Sequence, residues 1–213
     1  MRAALCVVVF GGFTLSPAKS WADRYEVQWS ARPLIGVAQM RDEWTSDYAA
    51  APAAGMSLAV SYGVTNSLDL GVEALSFSTL APTFEGAAVR TNGYTANGPY
   101  ERRSDSVGGT VNATWRLGVV WVPIINMGVG RGVRYRSAGV FTRYPVDFSP
   151  MQTHAERVED WLWTARSGVE YRMTPRWTFG GYGTLLLAWS PDAPTLPAAS
   201  LSFGVSYVFY PNL

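Results

Sequence analysis

The stretch that decides the fold is LSFGVSYVFYPNL, which runs from Leu201 to Leu213. Up to Phe209, large apolar side chains alternate with mostly small ones, as in a β-strand whose successive side chains point to opposite faces. The large residues are Leu201, Phe203, Val205, Tyr207 and Phe209, and the others are Ser202, Gly204, Ser206 and Val208. An edge strand with such an apolar face aggregates in water. The pattern therefore favours a closed sheet whose apolar face meets something other than water.

The composition of the chain points to a membrane protein built from strands. Of its 213 residues, only 15% are charged and 14% are aromatic, whereas soluble domains contain about 25% charged residues. Outside the N-terminus, no window offers the roughly 18 uninterrupted apolar residues that a membrane-spanning helix needs. Apolar character that is spread this evenly is typical of a transmembrane β-barrel.

The first residues have the pattern of a signal peptide. Arg2 precedes an apolar run over residues 3–15, and Ser20-Trp21-Ala22 matches a small-x-small cleavage site. The alternative, a first transmembrane helix, requires a longer apolar run. We predict a signal peptide over residues 1–22 and an outer-membrane β-barrel domain over residues 23–213. Cys6 is the only cysteine, so the mature domain has no disulfide, thiol nucleophile or cysteine metal ligand.

Charge excludes one class of partner. Without Arg2 and Lys19, 15 of the 17 basic residues remain, all of them arginine, against 16 acidic residues. A net charge near −1 gives no basic surplus for nucleic acid, so we predict no nucleic-acid partner.

Alternation of the same kind recurs, which predicts eight strands. The clearest example is SVGGTVNATWRLGVVW (Ser106–Trp121), where residues from Val107 to Trp121 in steps of two share one face. Its length exceeds an ordinary strand but suits a tilted membrane-spanning one. The eight predicted strands cover residues 25–40, 56–64, 68–78, 106–121, 125–136, 158–172, 177–189 and 199–209.

The predicted connections alternate between short and long. Short turns are predicted at residues 65–67, at residues 122–126 around Pro123, and at residues 174–176, all with turn-forming residues. Long polar connections are predicted at residues 41–55, 79–105, 137–157 and 190–198. Short periplasmic turns and four long extracellular loops are the pattern of an antiparallel up-and-down outer-membrane barrel.

A soluble β-sandwich is the main alternative, because it also alternates apolar and polar residues. Aromatic residues separate the two folds, because they cluster near both ends of the predicted strands, like the girdles at membrane interfaces. The periplasmic girdle comprises Tyr62, Trp121, Tyr171, Trp177, Tyr207 and Phe209, and the extracellular girdle comprises Tyr135, Trp161, Trp163 and Trp189. The nearly uncharged apolar face and the lack of cysteine also favour the outer membrane.

Two stretches give the chain a resemblance to the small eight-stranded outer-membrane barrels, the class of the outer-membrane protein A membrane domain and of outer-membrane protein X. SYGVTNSLDLGVEA (Ser61–Ala74) resembles their strand–turn–strand hairpin, and SFGVSYVF (Ser202–Phe209) resembles their C-terminal assembly signal. The resemblance implies recognition by the barrel-insertion machinery through Ser202, Gly204, Tyr207 and Phe209. It places the protein in the outer membrane of a Gram-negative cell envelope.

The inward faces of the predicted strands carry charge, which must be paired when it is taken from water. The predicted lumen residues are Glu26, Gln28, Arg32, Asp69, Glu73, Asn112, Arg116, Arg134, Arg166, Glu170 and Arg172. Glu73 and Arg116 lie on neighbouring predicted strands, as do Arg134 and the Arg166/Glu170 pair. We interpret these five residues as an ion-pair network that plugs a narrow lumen. The alternative interpretation is a gated pore or proton path.

Arg131 is a charged residue at an outward position of its predicted strand. Alternation places it outward between Val129 and Val133, and at mid-depth in lipid an arginine costs about 2–4 kcal/mol. Gly128, Gly130 and Gly132 surround it, so a bulge is an alternative that turns it inward.

The sequence offers little support for catalysis. Outer-membrane lipid A deacylases and palmitoyl transferases use a Ser with a His, but His154 is the only histidine, and it lies in a predicted loop. One histidine without mature cysteine argues against zinc. We predict no enzyme activity, cofactor or metal, and we keep a lipid-modifying enzyme as a third possibility.

Outer loops are the remaining candidates for function. The loop residues of interest are Tyr94, Tyr100, Arg102, Arg103, Phe141, Arg143, Tyr144, Phe148 and His154. Aromatic and arginine side chains suit lipopolysaccharide phosphates or a surface partner, but the interpretation that we favour is packing of these side chains over the barrel mouth. We predict a monomeric barrel among outer-membrane lipids and lipopolysaccharide, with a structural or surface-interaction role. A narrow channel for small solutes, porin-like in function, is the second possibility.

Overall fold

The fold is an eight-stranded barrel with a small additional sheet. The computed structural model describes residues 25–41, 48–91, 94–118, 120–141 and 155–210. Eight strands form the barrel: β1 (Val27–Arg41), β2 (Tyr48–Gly63), β3 (Leu68–Thr79), β6 (Ser104–Arg116), β7 (Trp121–Arg136), β9 (Glu156–Arg172), β10 (Trp177–Ser190) and β11 (Ala193–Phe209). The additional sheet comprises β4 (Thr83–Thr91), β5 (Tyr94–Glu101) and β8 (Val140–Phe141). In the part of the chain described, no helix has the length and apolarity needed to cross a membrane.

The barrel is closed by its first and last strands. Each barrel strand pairs antiparallel with its neighbours, and β11 pairs with β1 from Phe209 opposite Val27 to Ala198 opposite Ala38. This closure removes the free edge that the last strand would otherwise expose. The predicted eight-stranded antiparallel barrel is therefore confirmed.

The stagger of the strands can be followed through their pairing. From Trp121 on β7, successive paired residues lead around the whole barrel and return to β7 at Arg131, ten residues further along. Closed barrels with such a shear have strands tilted by about 40°, so each residue adds roughly 2.5 Å of height. The heights of side chains inside and outside the barrel follow from this relation.

One predicted turn is wrong. Pro123 lies inside β7, and the chain instead reverses between Arg116 and Trp121, where Gly118 has a φ of 131°. The Leu117 amide donates to the Pro123 carbonyl. A strand residue directs its N–H and C=O to the same side, so the N–H that proline lacks would point, like the Pro123 carbonyl, to the side of β6. Because β6 has already ended at this level, no hydrogen bond between the two strands is lost.

Two of the four predicted long loops are shorter than expected. Arg41 pairs with Tyr48, so β2 begins eight residues before the predicted strand, and Ser190 pairs with Ala193. The alanine- and proline-rich sequences there suggested loops, but their small inward side chains fit a narrow lumen. The other two connections are long and contribute β4, β5 and β8.

Candidate functional site

The outer surface of the barrel is an apolar belt. Side chains in alternate positions of each barrel strand are exposed and mostly apolar, for example Ile35 (73% exposed) and Phe203 (79%). The structure places all ten predicted girdle residues on this surface. Trp121 lies 4.7 Å from Tyr171, and Trp177 lies 5.0 Å from Tyr207, between ring centroids. Tyr25, Trp29 and Trp115 are further exposed aromatics near the periplasmic ends of their strands.

The periplasmic half of the lumen holds a set of polar residues that we call the polar layer. Its buried members are Glu26, Gln28, Arg32, Asp69, Glu73, Arg116, Arg166, Glu170 and Tyr182, and the half-buried Arg172 completes it. Its lower part centres on Arg116, whose Nε donates to Asp69 Oδ2 at 2.5 Å and whose Nη1 donates to Glu170 Oε2 at 2.8 Å. A third donor of Arg116 contacts Gln28 Oε1. One guanidinium therefore joins residues from four strands.

The upper part of the polar layer centres on Glu73. Arg166 Nη2 donates to Glu73 Oε1 at 2.5 Å, and Arg32 Nη1 lies 3.8 Å from the same oxygen. Arg166 Nε also donates to Thr184 Oγ1 at 3.1 Å. At the periplasmic rim, Arg172 pairs with Glu26 at 3.1 Å. The polar layer holds four carboxylates and four guanidiniums, so its formal charges balance.

The predicted pairing of Glu73 with Arg116 is wrong. Glu73 lies opposite Thr110 on β6, six residues or about 20 Å along the strand from Arg116. Arg166 and Glu170 do not pair with Arg134 either. Arg134 lies near the extracellular end, where its Nη2 donates to Asp160 Oδ1 at 2.8 Å. The five predicted network residues thus divide between three groups, each completed by residues from other strands.

Tyr182 is a central residue that sequence reasoning missed. Its hydroxyl donates to Glu170 Oε1 at 2.9 Å, and the Arg32 guanidinium carbon lies 5.2 Å from its ring centroid. A Cβ at Gly204 would lie 2.7 Å from the Tyr182 ring, and one at Gly168 would lie 2.8 Å from it. The alternation of β10 indicates that Tyr182 points into the lumen. The sequence does not indicate that glycines on the neighbouring strands leave space for its ring.

This placement gives Gly204 a packing role besides its predicted part in the assembly signal. Ser202 and Gly204 face the lumen, whereas Tyr207 and Phe209 face outward at the end of β11. Whether these four residues are read by insertion machinery stays a prediction.

The extracellular half of the lumen is filled by buried apolar side chains that we call the apolar layer. Its members are Leu34, Ala38, Met40, Ala51, Ala53, Leu75, Phe77, Phe84, Tyr100, Leu162, Leu186, Ala188, Leu196 and Ala198. Phe84 and Tyr100 reach it from the connection between β3 and β6, and their rings stack at 5.2 Å. This connection therefore covers the mouth of the barrel.

Above the apolar layer lie ion pairs at the extracellular rim. Glu156 Oε2 accepts from Arg136 Nη1 at 3.0 Å and lies 3.2 Å from Arg102 Nη2. Tyr100 and Arg102 are buried, as the favoured interpretation of packing over the barrel mouth predicts, whereas Arg103 is exposed and pairs with Asp105 at 2.9 Å. The predicted loop residues Arg143, Tyr144, Phe148 and His154 lie outside the described residues, as does the predicted signal peptide, and the side chains of Tyr94 and Phe141 are likewise undescribed.

Arg131 faces outward. β7 pairs with β6 from Ile124 to Arg136 and with β9 from Trp121 to Arg136, in both cases without a bulge. Successive side chains therefore alternate between the two faces throughout the stretch that contains Gly128, Gly130 and Gly132. The Arg131 guanidinium carbon lies 4.2 Å from the centroid of the Trp161 ring.

Comparison with known proteins identifies the fold of this chain but no protein family to which it belongs. No protein-family model matches the sequence, and no curated protein matches it. Among solved structures, the outer membrane protein OprG from Pseudomonas aeruginosa is similar, with 9% identity, a TM-score of 0.51, and coverage of 88% of this chain and 97% of that chain. The chain has the fold of the small eight-stranded outer-membrane barrels.

Two further structures have lower TM-scores. Ail, the attachment invasion locus protein of Yersinia pestis, has 14% identity and a TM-score of 0.48, with 88% of this chain and 100% of that chain covered. Neisserial surface protein A has 12% identity and a TM-score of 0.49, with 86% and 97% covered.

Proposed function

We propose that this protein is an integral outer-membrane barrel that is closed to solutes and presents its extracellular end for interaction. The observation that carries the proposal is the apolar layer, which fills the extracellular half of the lumen with buried side chains such as Leu162 and Leu186. An eight-stranded barrel is just wide enough for side chains to fill it. Ions that enter the polar layer from the periplasm would meet a dry barrier.

The outer surface supports the membrane location. The apolar belt extends from Trp121 to the level of Arg131, about 25 Å by the shear and tilt given above. This height matches the apolar band of outer-membrane barrels. Export by the signal peptide, insertion by the barrel-assembly machinery and a monomeric state are parts of the same proposal.

The extracellular connections support an interaction role. The connection between β3 and β6 and the connection between β7 and β9 together form the sheet of β4, β5 and β8. Phe84 and Tyr100 pack this sheet against the barrel. A second sheet is not needed to close the barrel, so it is the part available for a surface partner or lipopolysaccharide.

A narrow channel is the second candidate, and one observation favours it. Several hydroxyls of the polar half, including those of Thr178, Ser202 and Ser206, have no hydrogen-bond partner among the described residues. Buried polar groups of this kind are usually satisfied by water, so we expect the polar layer to be hydrated. The apolar layer decides between a closed and a conducting barrel.

Conductance in a planar bilayer tests this choice. We expect the refolded mature chain to be silent, and the double variant Leu162→Ala/Leu186→Ala to conduct because it thins the dry barrier. Leu185→Ala/Leu187→Ala is the matched control, since both side chains face outward on β10. Steady conductance of the wild type that changes in Glu73→Gln would instead establish the channel.

A further inference from the structure

An outward-facing arginine and tryptophan form a pair on neighbouring strands. Arg131 lies between Gly109 on β6 and Trp161 on β9 in the strand pairing. Its guanidinium lies over the Trp161 ring at 4.2 Å. Both side chains are exposed on the outside of the barrel.

The height of this pair along the barrel axis places it at the extracellular interface of the membrane. Arg131 lies ten residues above Trp121 on the same strand, about 25 Å higher along the barrel axis. Because Trp121 belongs to the periplasmic girdle, Arg131 lies where the hydrocarbon of the outer leaflet meets its headgroups. Arg131 is therefore not the mid-depth charge that its flanking valines suggested.

No carboxylate among the described residues forms an ion pair with Arg131. A guanidinium that stacks on a ring uses its flat face and keeps the N–H donors at its edge. On the side away from Trp161, Gly109 has no side chain, and a Cβ built there meets nothing nearer than 3.5 Å. The space beside the guanidinium on the side away from Trp161 is therefore open to a ligand.

An apolar groove begins directly below the pair. Val129 and Trp163, one outward position below Arg131 and Trp161, line a groove of about 720 Å³ on the outer surface. Its other outward-facing walls include Val111, Met127 and Leu187. A cation at the headgroup level above an apolar groove is complementary to a lipid with an anionic headgroup and an acyl chain.

We propose that Arg131 and Trp161 bind the phosphate of a phosphorylated outer-leaflet lipid, whose acyl chain lies in the groove below. Guanidinium and phosphate match in geometry and form paired hydrogen bonds. The inference rests on the proposed outer-membrane function, because only that location puts this end of the barrel in the outer leaflet.

Lipid binding to the refolded mature chain in neutral detergent micelles tests the proposal. Native mass spectrometry would follow titration with bisphosphorylated lipid A, phosphatidylglycerol or phosphatidylcholine. We expect lipid A to bind best and Arg131→Gln to weaken its binding about tenfold, the value of one charge-assisted hydrogen bond. Arg131→Lys should retain part of the affinity, and Gly109→Val should reduce it by filling the open side.

Arg157→Gln is the matched control, because Arg157 is also an exposed, outward-facing cation. It lies on β9, four residues nearer the extracellular end than Trp161. We expect its lipid A affinity to stay within about twofold of wild type. Equal losses in Arg131→Gln and Arg157→Gln, or equal binding of lipid A and phosphatidylcholine by the wild type, would overturn the site. Each variant is first checked for the gel mobility shift of a folded barrel on heating.

Reconstitution of the same refolded chain into lipid vesicles, alongside the micelle titration, separates the two proposals. A chain that folds as a barrel in vesicles but does not prefer lipid A loses the lipid site while the outer-membrane proposal stands. A chain that does not insert into vesicles contradicts both.

Discussion

The two halves of the lumen are filled by opposite chemistry, although the same strands build both. The polar layer relies on ion pairs that cross the lumen, such as Glu73 with Arg166. The apolar layer relies on close packing around residues such as Leu162 and Phe77. Buried charges specify one arrangement, because every partner must be present, whereas apolar packing tolerates rearrangement but excludes water. The polar layer therefore fixes how the strands meet, and the apolar layer seals the barrel.

The largest expected effect comes from removing the cation at the centre of the lower polar layer. Arg116→Leu leaves Asp69 and Glu170 buried without their guanidinium. Such an uncompensated charge typically costs about 3–5 kcal/mol of unfolding free energy. Urea unfolding of the refolded barrel, followed by tryptophan fluorescence, measures the loss.

A neutralised variant controls for the loss of arginine itself. Arg116→Leu combined with Asp69→Asn and Glu170→Gln removes the stranded charges, so we expect it to recover most of the lost stability. If the triple variant is no more stable than Arg116→Leu, packing rather than charge accounts for the role of Arg116.

The next effect concerns the apolar layer. Leu162→Ala removes a side chain that is 2% exposed, and leaving a cavity there should cost about 3 kcal/mol. Leu187→Ala is the matched control on the outer surface, where lipid replaces the lost contacts, and we expect a loss below about 1 kcal/mol. Equal losses in the same urea experiment would mean that the apolar layer is not tightly packed.

The sequence predicts the barrel better than it predicts the lumen. Alternation along single strands is a local property, so the eight strands and their outward faces could be found without partners. The partner of Glu73 depends on the shear, which brings β9 to face β3 across the lumen, and no local pattern encodes it. The inward row Ala49, Ala51 and Ala53 was missed for a different reason, because small residues with proline resemble a loop.

A smaller effect tests how closely the polar layer is packed around Tyr182. Gly204→Ala places a Cβ 2.7 Å from the Tyr182 ring and 3.0 Å from Arg32 Cγ. Overpacking of this kind costs about 1–3 kcal/mol. Gly181→Ala is the control, because a Cβ there meets nothing within 4 Å, and we expect no loss. Adding Tyr182→Leu should relieve the clash, and a double-mutant cycle in urea would show no coupling if Tyr182 were not the obstacle.

The smallest effect is expected for an ion pair outside the lumen. Arg103 and Asp105 approach to 2.9 Å, as closely as several lumen pairs, but their side chains are 56% and 39% exposed. Water and salt screen such a pair, so Asp105→Asn should change the unfolding free energy by less than about 1 kcal/mol. The difference from Arg116→Leu would then come from burial rather than distance. A loss of several kcal/mol in Asp105→Asn would mean that the extracellular rim, like the polar layer, holds the barrel together through charge.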